Sequence, residues 1–363
     1  MEAVRSHRFT RDLVEFNKKL QQGLENLKEL SEEDIAFGTS PKEEVAREEN
    51  IVLYRYTPVV KKPNPVPVLI SYALVNRPYM VDLQPDRSLV KRLLELGLDV
   101  YLIDWGFPRR VDRYRTLDDY INHYIDTFVD VLRERHDVPA VNLLGICQGG
   151  AFSLCYTALH PEKIRNLITM VTPVDFHVED GLLNVWAGCN GASTQMDVDL
   201  MVDTMGNIDG NFMNFGFLML RPFSLGMGKY LDLVDTMSDR RRLENFLRME
   251  SWIFDSPDQA GEAYRQFMKD FYQQNKLIKG EVEIGGRQVD LGKISTPVLN
   301  IFAEEDHLVP PSSSRALGEY LGTDDFTERS FPVGHIGMYV SGKVQRELGP
   351  TIAEWLSART PGA

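Results

Sequence analysis

Cysteine is scarce: three residues, Cys147, Cys155 and Cys189, in a chain of 363. Their odd number and wide spacing exclude a disulfide framework of the kind that staples small secreted domains. Long apolar runs are missing as well. No stretch approaches the roughly 18 consecutive apolar residues that span a bilayer, so no transmembrane segment is expected. The first residues, Met1-Glu2-Ala3-Val4-Arg5, open no apolar run of a signal peptide. Positive charge is in deficit, with 40 Lys and Arg against 53 Asp and Glu and a formal net charge of −13. That balance argues against nucleic acid as a partner, and against adhesion to an anionic membrane through bulk charge. No metal-ligand spacing is visible. What remains is an ordinary globular composition, 43% hydrophobic and 26% charged, expected in a reducing, cytoplasmic setting that suits a reactive thiol.

Residues 9–30 carry Leu13, Phe16, Leu20, Leu24, Leu27 and Leu30 at spacings of three and four, which predicts an amphipathic helix. It is read either as packed on the flank of the domain or as a docking face for another subunit. From residue 51 short apolar runs recur: 51–56, 66–72, 98–103, 140–144 and 166–171. Helical segments at 88–96, 117–135 and 148–159 lie between the later ones. Such alternation predicts a mostly parallel sheet with helices on both faces. The rhythm breaks after Asp175 and resumes at 297–302, followed by a strand at 326–331 and a helix from about 343 to 356. The expected organisation is therefore an N-terminal helical segment (1–50), an α/β core (51–174 and 293–363) and an inserted lid (175–292). The Met- and Phe-rich stretch 211–220 is read as core of a helical subdomain.

Gly145-Ile146-Cys147-Gln148-Gly149-Gly150 sits between a strand and a helix. That is the context of a nucleophile elbow, with cysteine where hydrolases usually place serine. A nucleophilic thiol needs a base and a group to orient it. Asp306 follows the strand at 297–302, and His335 follows the last strand in Val333-Gly334-His335-Ile336-Gly337. The order nucleophile, acid, histidine is that of the α/β-hydrolase fold. All three residues fall beyond the carboxyl ends of strands, where ligands gather in open α/β sheets. His307 is an alternative base, more naturally a supporting neighbour of the triad or a substrate-positioning residue, and Glu304 or Glu305 could replace Asp306. His7, His123, His136, His160 and His177 form no ligand-like pair. The oxyanion donors expected are the Gln148 amide and the Val75 amide, with Asn76 the alternative to Val75 and otherwise a supporting neighbour. Cys155 reads as core packing, and Cys189 has no partner that the sequence names.

Together with these motifs, Val75-Asn76-Arg77-Pro78-Tyr79-Met80-Val81-Asp82-Leu83-Gln84-Pro85, Tyr101-Leu102-Ile103-Asp104-Trp105-Gly106 and Trp252-Ile253-Phe254-Asp255-Ser256 make the chain resemble the polyhydroxyalkanoate synthases from about residue 50 to 357. The short form resembles the class III catalytic subunit, with class IV the nearest competitor. The resemblance implies an acyltransferase that polymerises (R)-3-hydroxyacyl-coenzyme A, 3-hydroxybutyryl-coenzyme A above all, into polyester with release of coenzyme A. It implies Cys147 as the thioester anchor, His335 as general base and Asp306 as third member, with a further part for Asp306 in activating the 3-hydroxyl. It implies no cofactor beyond the thioester substrate, an E-type second subunit, a homo-oligomer, and a place at the surface of polyester granules. A cysteine-dependent thioesterase or lactone hydrolase, and an inactive granule-binding scaffold, are the competing readings. Arg109-Arg110 and Arg240-Arg241-Arg242 are candidate basic patches for coenzyme A, with a solvated face as the plainer reading.

Overall fold

The structure is a computed structural model that describes residues 2–188, 196–223 and 228–360; Cys189 lies outside the described residues. The chain divides into two compact units, Met1–Phe37 with Asn211–Ser256, and Gly38–Gly210 with Pro257–Ala363. This division differs from the expected one at 50, 174 and 292: the outer parts of the 175–292 stretch belong to the larger unit, and its middle belongs with the N-terminal helix.

The larger unit is built on an eight-stranded sheet. Its strands are β1 (Lys42–Glu48), β2 (Ile51–Tyr56), β3 (Val68–Ser71), β4 (Val100–Asp104), β5 (Val141–Ile146), β6 (Ile164–Met170), β7 (Val298–Ala303) and β8 (Phe326–Phe331). In space they run β1-β2-β4-β3-β5-β6-β7-β8. The β1–β2 and β2–β4 pairs are antiparallel and every other pair is parallel. Strands β3, β5 and β7 are buried along their whole length, as continuous apolar runs covered on both faces must be. Helices α1 (Leu89–Glu95), α2 (Asp126–His136), α3 (Gln148–Leu159) and α4 (Gly342–Ser357) belong to the same unit. α2 is preceded by a π-helical stretch, Asp119–Ile125, that periodicity does not predict.

Strand β1 corrects the sequence reading, which treated residues 1–50 as helical. Its residues, Lys-Glu-Glu-Val-Ala-Arg-Glu, are mostly exposed, because an edge strand has one pairing partner and little need of apolar side chains. It therefore lacks the alternation on which strand prediction rests.

In the smaller unit the N-terminal helix Glu2–Glu29 packs along the Leu233–Ser238 helix. The contact passes through Gly23, where a Cβ would lie 2.7 Å from Met237 Cβ. Asn26 Nδ2 donates to Met237 O at 2.8 Å and Lys19 pairs with Asp235 at 2.9 Å. Leu13, Phe16, Leu24 and Leu27, the stripe that predicts the helix, are exposed. The 211–220 stretch also departs from its reading as core: Met213 and Leu220 are buried, but Phe212, Phe215 and Met219 are exposed. Among the described residues no helix is long and apolar enough to cross a membrane.

Candidate active site

Four parallel strands, β3, β5, β7 and β8, deliver the site at their carboxyl ends, all within the larger unit. Cys147 follows β5 directly and precedes α3, with φ 54° and ψ −124°. A non-glycine residue there is strained, and such strain persists only where the surroundings over-determine it. Two glycines allow the turn to close. A Cβ on Gly145 would stand 2.6 Å from Gly150 Cα, and one on Gly149 would stand 2.3 Å from Ser71 O. Cys147 N donates to Met170 O at 2.9 Å, which ties the turn to β6. The thiol sits at the N-terminus of α3, beside amides that have no intrahelical acceptor.

Asp306 lies on the loop after β7 and His335 on the loop after β8. The fold brings them together: His335 Nδ1 and Asp306 Oδ2 are 2.7 Å apart, with the side chains 7% and 1% exposed. Asp306 Oδ1 accepts from the Leu308 and Val309 amides, each at 2.9 Å. The carboxylate is thereby fixed at both oxygens. Burial by itself lowers the imidazole's affinity for a proton. The Asp306 carboxylate and Cys147, which flank the ring and both hydrogen-bond to it, outweigh that and push His335 up to about 10.

Leu74 N donates to the buried Gln148 side chain at 3.0 Å. This bond ties the loop after β3 to the first turn of α3 and removes the Leu74 amide from consideration as an oxyanion donor. Val75 and Gln148 remain, in the loop after β3 and at the first residue of α3, where helix amides have no intrahelical acceptor. His307 and Asn76 are half-buried beside Asp306 and Val75. Elsewhere His136 meets Tyr101 at 2.8 Å, His160 meets Asn122 at 3.0 Å and His177 meets Gln273 O at 3.2 Å. These are structural roles. Cys155 is buried, and burial pushes its thiol up to about 12, which makes it inert.

The sequence reading missed three tyrosines. Tyr72, Tyr272 and Tyr339 are buried within electrostatic reach of Cys147, and burial raises all three phenols far above their ordinary range. They are neutral hydrogen-bond donors at any working pH. Trp105 Nε1 holds Tyr72 O at 2.8 Å. The one sequence signal was the position of Tyr339, four residues beyond His335, which is one helical turn. An aromatic layer of Phe152, Phe176, Phe267, Phe271 and Tyr272 packs with ring separations of 4.8 to 5.9 Å. Within the basic patches, Arg240 pairs with Glu29, Asp34 and Glu244, and Arg109 with Glu49 and Asp112. Among the described residues no group of His, Cys, Asp and Glu is placed to hold a metal ion.

Comparison with known proteins agrees with this geometry. A family model described as the alpha/beta hydrolase fold matches residues 67–341, and one described as the N-terminus of poly-beta-hydroxybutyrate polymerase (PhaC) matches residues 6–93. The chain is 60% identical over 349 residues to the poly(3-hydroxyalkanoate) polymerase subunit PhaC of Synechocystis sp., which covers 96% of this chain and 92% of that one. It is 58% identical over 358 residues to the subunit of the same name from Allochromatium vinosum, covering 98% and 99%. Among solved structures it is similar to an esterase from Exiguobacterium antarcticum (TM-score 0.52, 17% identity, 85% of this chain and 95% of that one). A hydrolase from Pseudomonas aeruginosa is similar at TM-score 0.52 and 14% identity, covering 90% and 99%. These structural likenesses establish the fold alone.

Proposed function

The chain belongs to the poly(3-hydroxyalkanoate) polymerase family as a class III catalytic subunit, and from that premise we propose that Cys147, His335 and Asp306 carry its acyl transfer. The chain is an acyltransferase that makes polyester. The observation that carries the mechanism is the strained thiol of Cys147 at the start of α3, faced by an imidazole that Asp306 holds at 2.7 Å.

His335 takes the thiol proton, and Cys147 Sγ attacks the thioester carbonyl of an (R)-3-hydroxyacyl-coenzyme A. The oxyanion is received by the Val75 and Gln148 amides. Collapse breaks the bond to the coenzyme A sulfur, which leaves with the proton that His335 returns, and the acyl group stays on Cys147 as a thioester. His335 next accepts the proton of the 3-hydroxyl of a further hydroxyacyl thioester. That oxygen attacks the Cys147-bound carbonyl, the ester forms, and Sγ is released as a thiol. Thioester exchange keeps the acyl group activated, so ester formation can run downhill. The aromatic layer that Tyr272 joins to the surroundings of Cys147 supports exclusion of water, which would otherwise release free hydroxy acid. As written, the reaction needs no cofactor.

The exposed apolar stripe of the N-terminal helix supports an E-type partner and assembly into a homo-oligomer. An active thiol suits a reducing cytoplasm, and an insoluble product supports a position at the granule surface. The test is incubation with (R)-3-hydroxybutyryl-coenzyme A, following free thiol together with turbidity. Thiol release with polymer is expected. Release with soluble hydroxybutyrate alone, or release that Cys147→Ala leaves unchanged, would overturn the mechanism.

A further inference from the structure

Tyr339 is 2% exposed, and its Oη makes no hydrogen bond of ordinary length, with the Tyr72 hydroxyl standing as a longer-range partner. A buried hydroxyl in that condition is a liability for folding unless something else supplies the missing partner. Its surroundings say where that something would be. The Tyr339 ring lies 6.4 Å from that of His335 and 6.3 Å from that of Tyr72, edge-on to the latter. Tyr72, Cys147 and Asp306 are its electrostatic neighbours.

Several polar groups around the thiol have assigned partners. Asp306 is filled at both oxygens, His335 is held between Asp306 and Cys147, and the Leu74 amide is taken by Gln148. The Val75 and Gln148 amides are matched to the carbonyl oxygen. Of the three tyrosines beside Cys147, Tyr339 is the one whose buried hydroxyl meets no acceptor at ordinary distance, and the acyl group has one polar atom left over. That atom is the oxygen on carbon 3, three bonds from the thioester carbon. It is a hydroxyl oxygen in the monomer and an ester oxygen once the chain has grown. Both accept a hydrogen bond.

We propose that Tyr339 Oη donates to the carbon-3 oxygen of the acyl group held at Cys147, and so selects 3-oxygenated acyl groups over plain ones. This rests on the acyl-transfer reading above. The hydroxyl adds nothing to attack at carbonyl carbon itself. It holds the acyl chain in the rotamer that presents the thioester to the next hydroxyl. A plain acyl group leaves Tyr339 as it is without substrate, and forfeits the bond.

The test is Tyr339→Phe, which removes one atom and no packing. Coenzyme A release is followed in a single turnover with (R)-3-hydroxybutyryl-coenzyme A and with butyryl-coenzyme A, which lacks the 3-oxygen. The expected result is a fall of about 10- to 100-fold in the preference for the hydroxyacyl substrate. Reactivity toward butyryl-coenzyme A should stay within about twofold, and the melting temperature should not fall. A second measurement does not depend on turnover: in a Cys147→Ala background, calorimetry should find that Tyr339→Phe abolishes the difference in affinity between the two thioesters. Equal loss on both substrates would assign the hydroxyl to the Cys147–His335 pair and overturn the proposal, as would an unchanged preference. Failure of the wild-type protein to release coenzyme A from either substrate would overturn the acyl-transfer reading itself, and this proposal with it.

Discussion

Replacing Asp306 by Asn probes the site with the smallest change in shape. Two backbone amides, Leu308 and Val309, both donate to Asp306 Oδ1 at 2.9 Å. In Asp306→Asn those amides still require an acceptor, so the carbonyl oxygen of the new amide stays on their side. Its NH2 is then turned toward His335 Nδ1, at the 2.7 Å contact that Oδ2 makes now. A donor facing Nδ1 forces that nitrogen to be the acceptor, and the single proton of the neutral ring moves to Nε2. The nitrogen that should take the Cys147 proton then already carries one. The loss is therefore one of tautomer, with little loss of position. The same tautomer error in a serine protease lowers the rate about 10⁴-fold. A thiol gives up its proton more readily than a hydroxyl, so a loss of about 10²- to 10³-fold is expected here, or about 3–4 kcal/mol in the barrier.

The assay is the single-turnover release of coenzyme A from (R)-3-hydroxybutyryl-coenzyme A across pH 6 to 10, values chosen for the experiment on the order of the ordinary His and Cys ranges. Asp306→Asn should be slow at neutral pH and gain rate steadily as hydroxide replaces the missing base. Rates within tenfold of wild type, with the same pH profile, would refute the role given to Asp306. So would a loss that the recovered structure traces to a displaced His335 ring.

His335 gains affinity for its proton on folding, from the ordinary 6.5 to about 10. A group raised in the folded state stabilises it fully below the unfolded value, and that contribution is lost as pH rises through the folded value. The gap in urea stability between wild type and His335→Gln should accordingly be widest below pH 6.5 and close as pH passes about 10; a gap that widens with pH would contradict the ion pair. Gly149→Ala places a Cβ 2.3 Å from Ser71 O, a backbone atom at the end of β3 that cannot swing aside. It should destabilise the protein by about 1–3 kcal/mol, the usual range for overpacking. It should also lower acyl transfer by moving the loop that carries Val75, and wild-type activity at reduced stability would separate that loop from the chemistry.

Much of this architecture was legible because most of its strands are buried on both faces. Phe326–Phe331 and Gln148–Leu159 fall where the apolar pattern puts them, and the other parallel strands lie within a few residues. The triad was legible for a different reason: each member follows a strand, so strand order alone carries them to one edge. What the pattern could not show depends on partners distant in sequence. Strand Lys42–Glu48 exists because Ile51–Tyr56 offers it an antiparallel edge. The N-terminal helix packs through Gly23 and Asn26, and its leucine stripe stays outside. Tyr72, Tyr272 and Tyr339 come from widely separated segments and share no spacing, so their meeting at Cys147 is visible only in three dimensions.

Two of the features that break local rules meet at the candidate site, and their meeting there is itself informative. Natural chains depart from local consistency chiefly where function requires it. Cys147 has φ 54° where glycine would be relaxed, and Tyr339 keeps a buried hydroxyl without a hydrogen bond of ordinary length. Cys147→Gly should therefore release strain of about 1–3 kcal/mol, less a smaller loss from deleting a half-buried side chain. The variant should melt at or above the wild-type temperature while transferring no acyl group. A marked loss of stability would mean that the elbow is held by the thiol's contacts, with the backbone relaxed at that angle. Stability gained at the cost of all chemistry would instead show that the turn is kept strained to hold the sulfur clear of the sheet, where a thioester carbonyl can reach it.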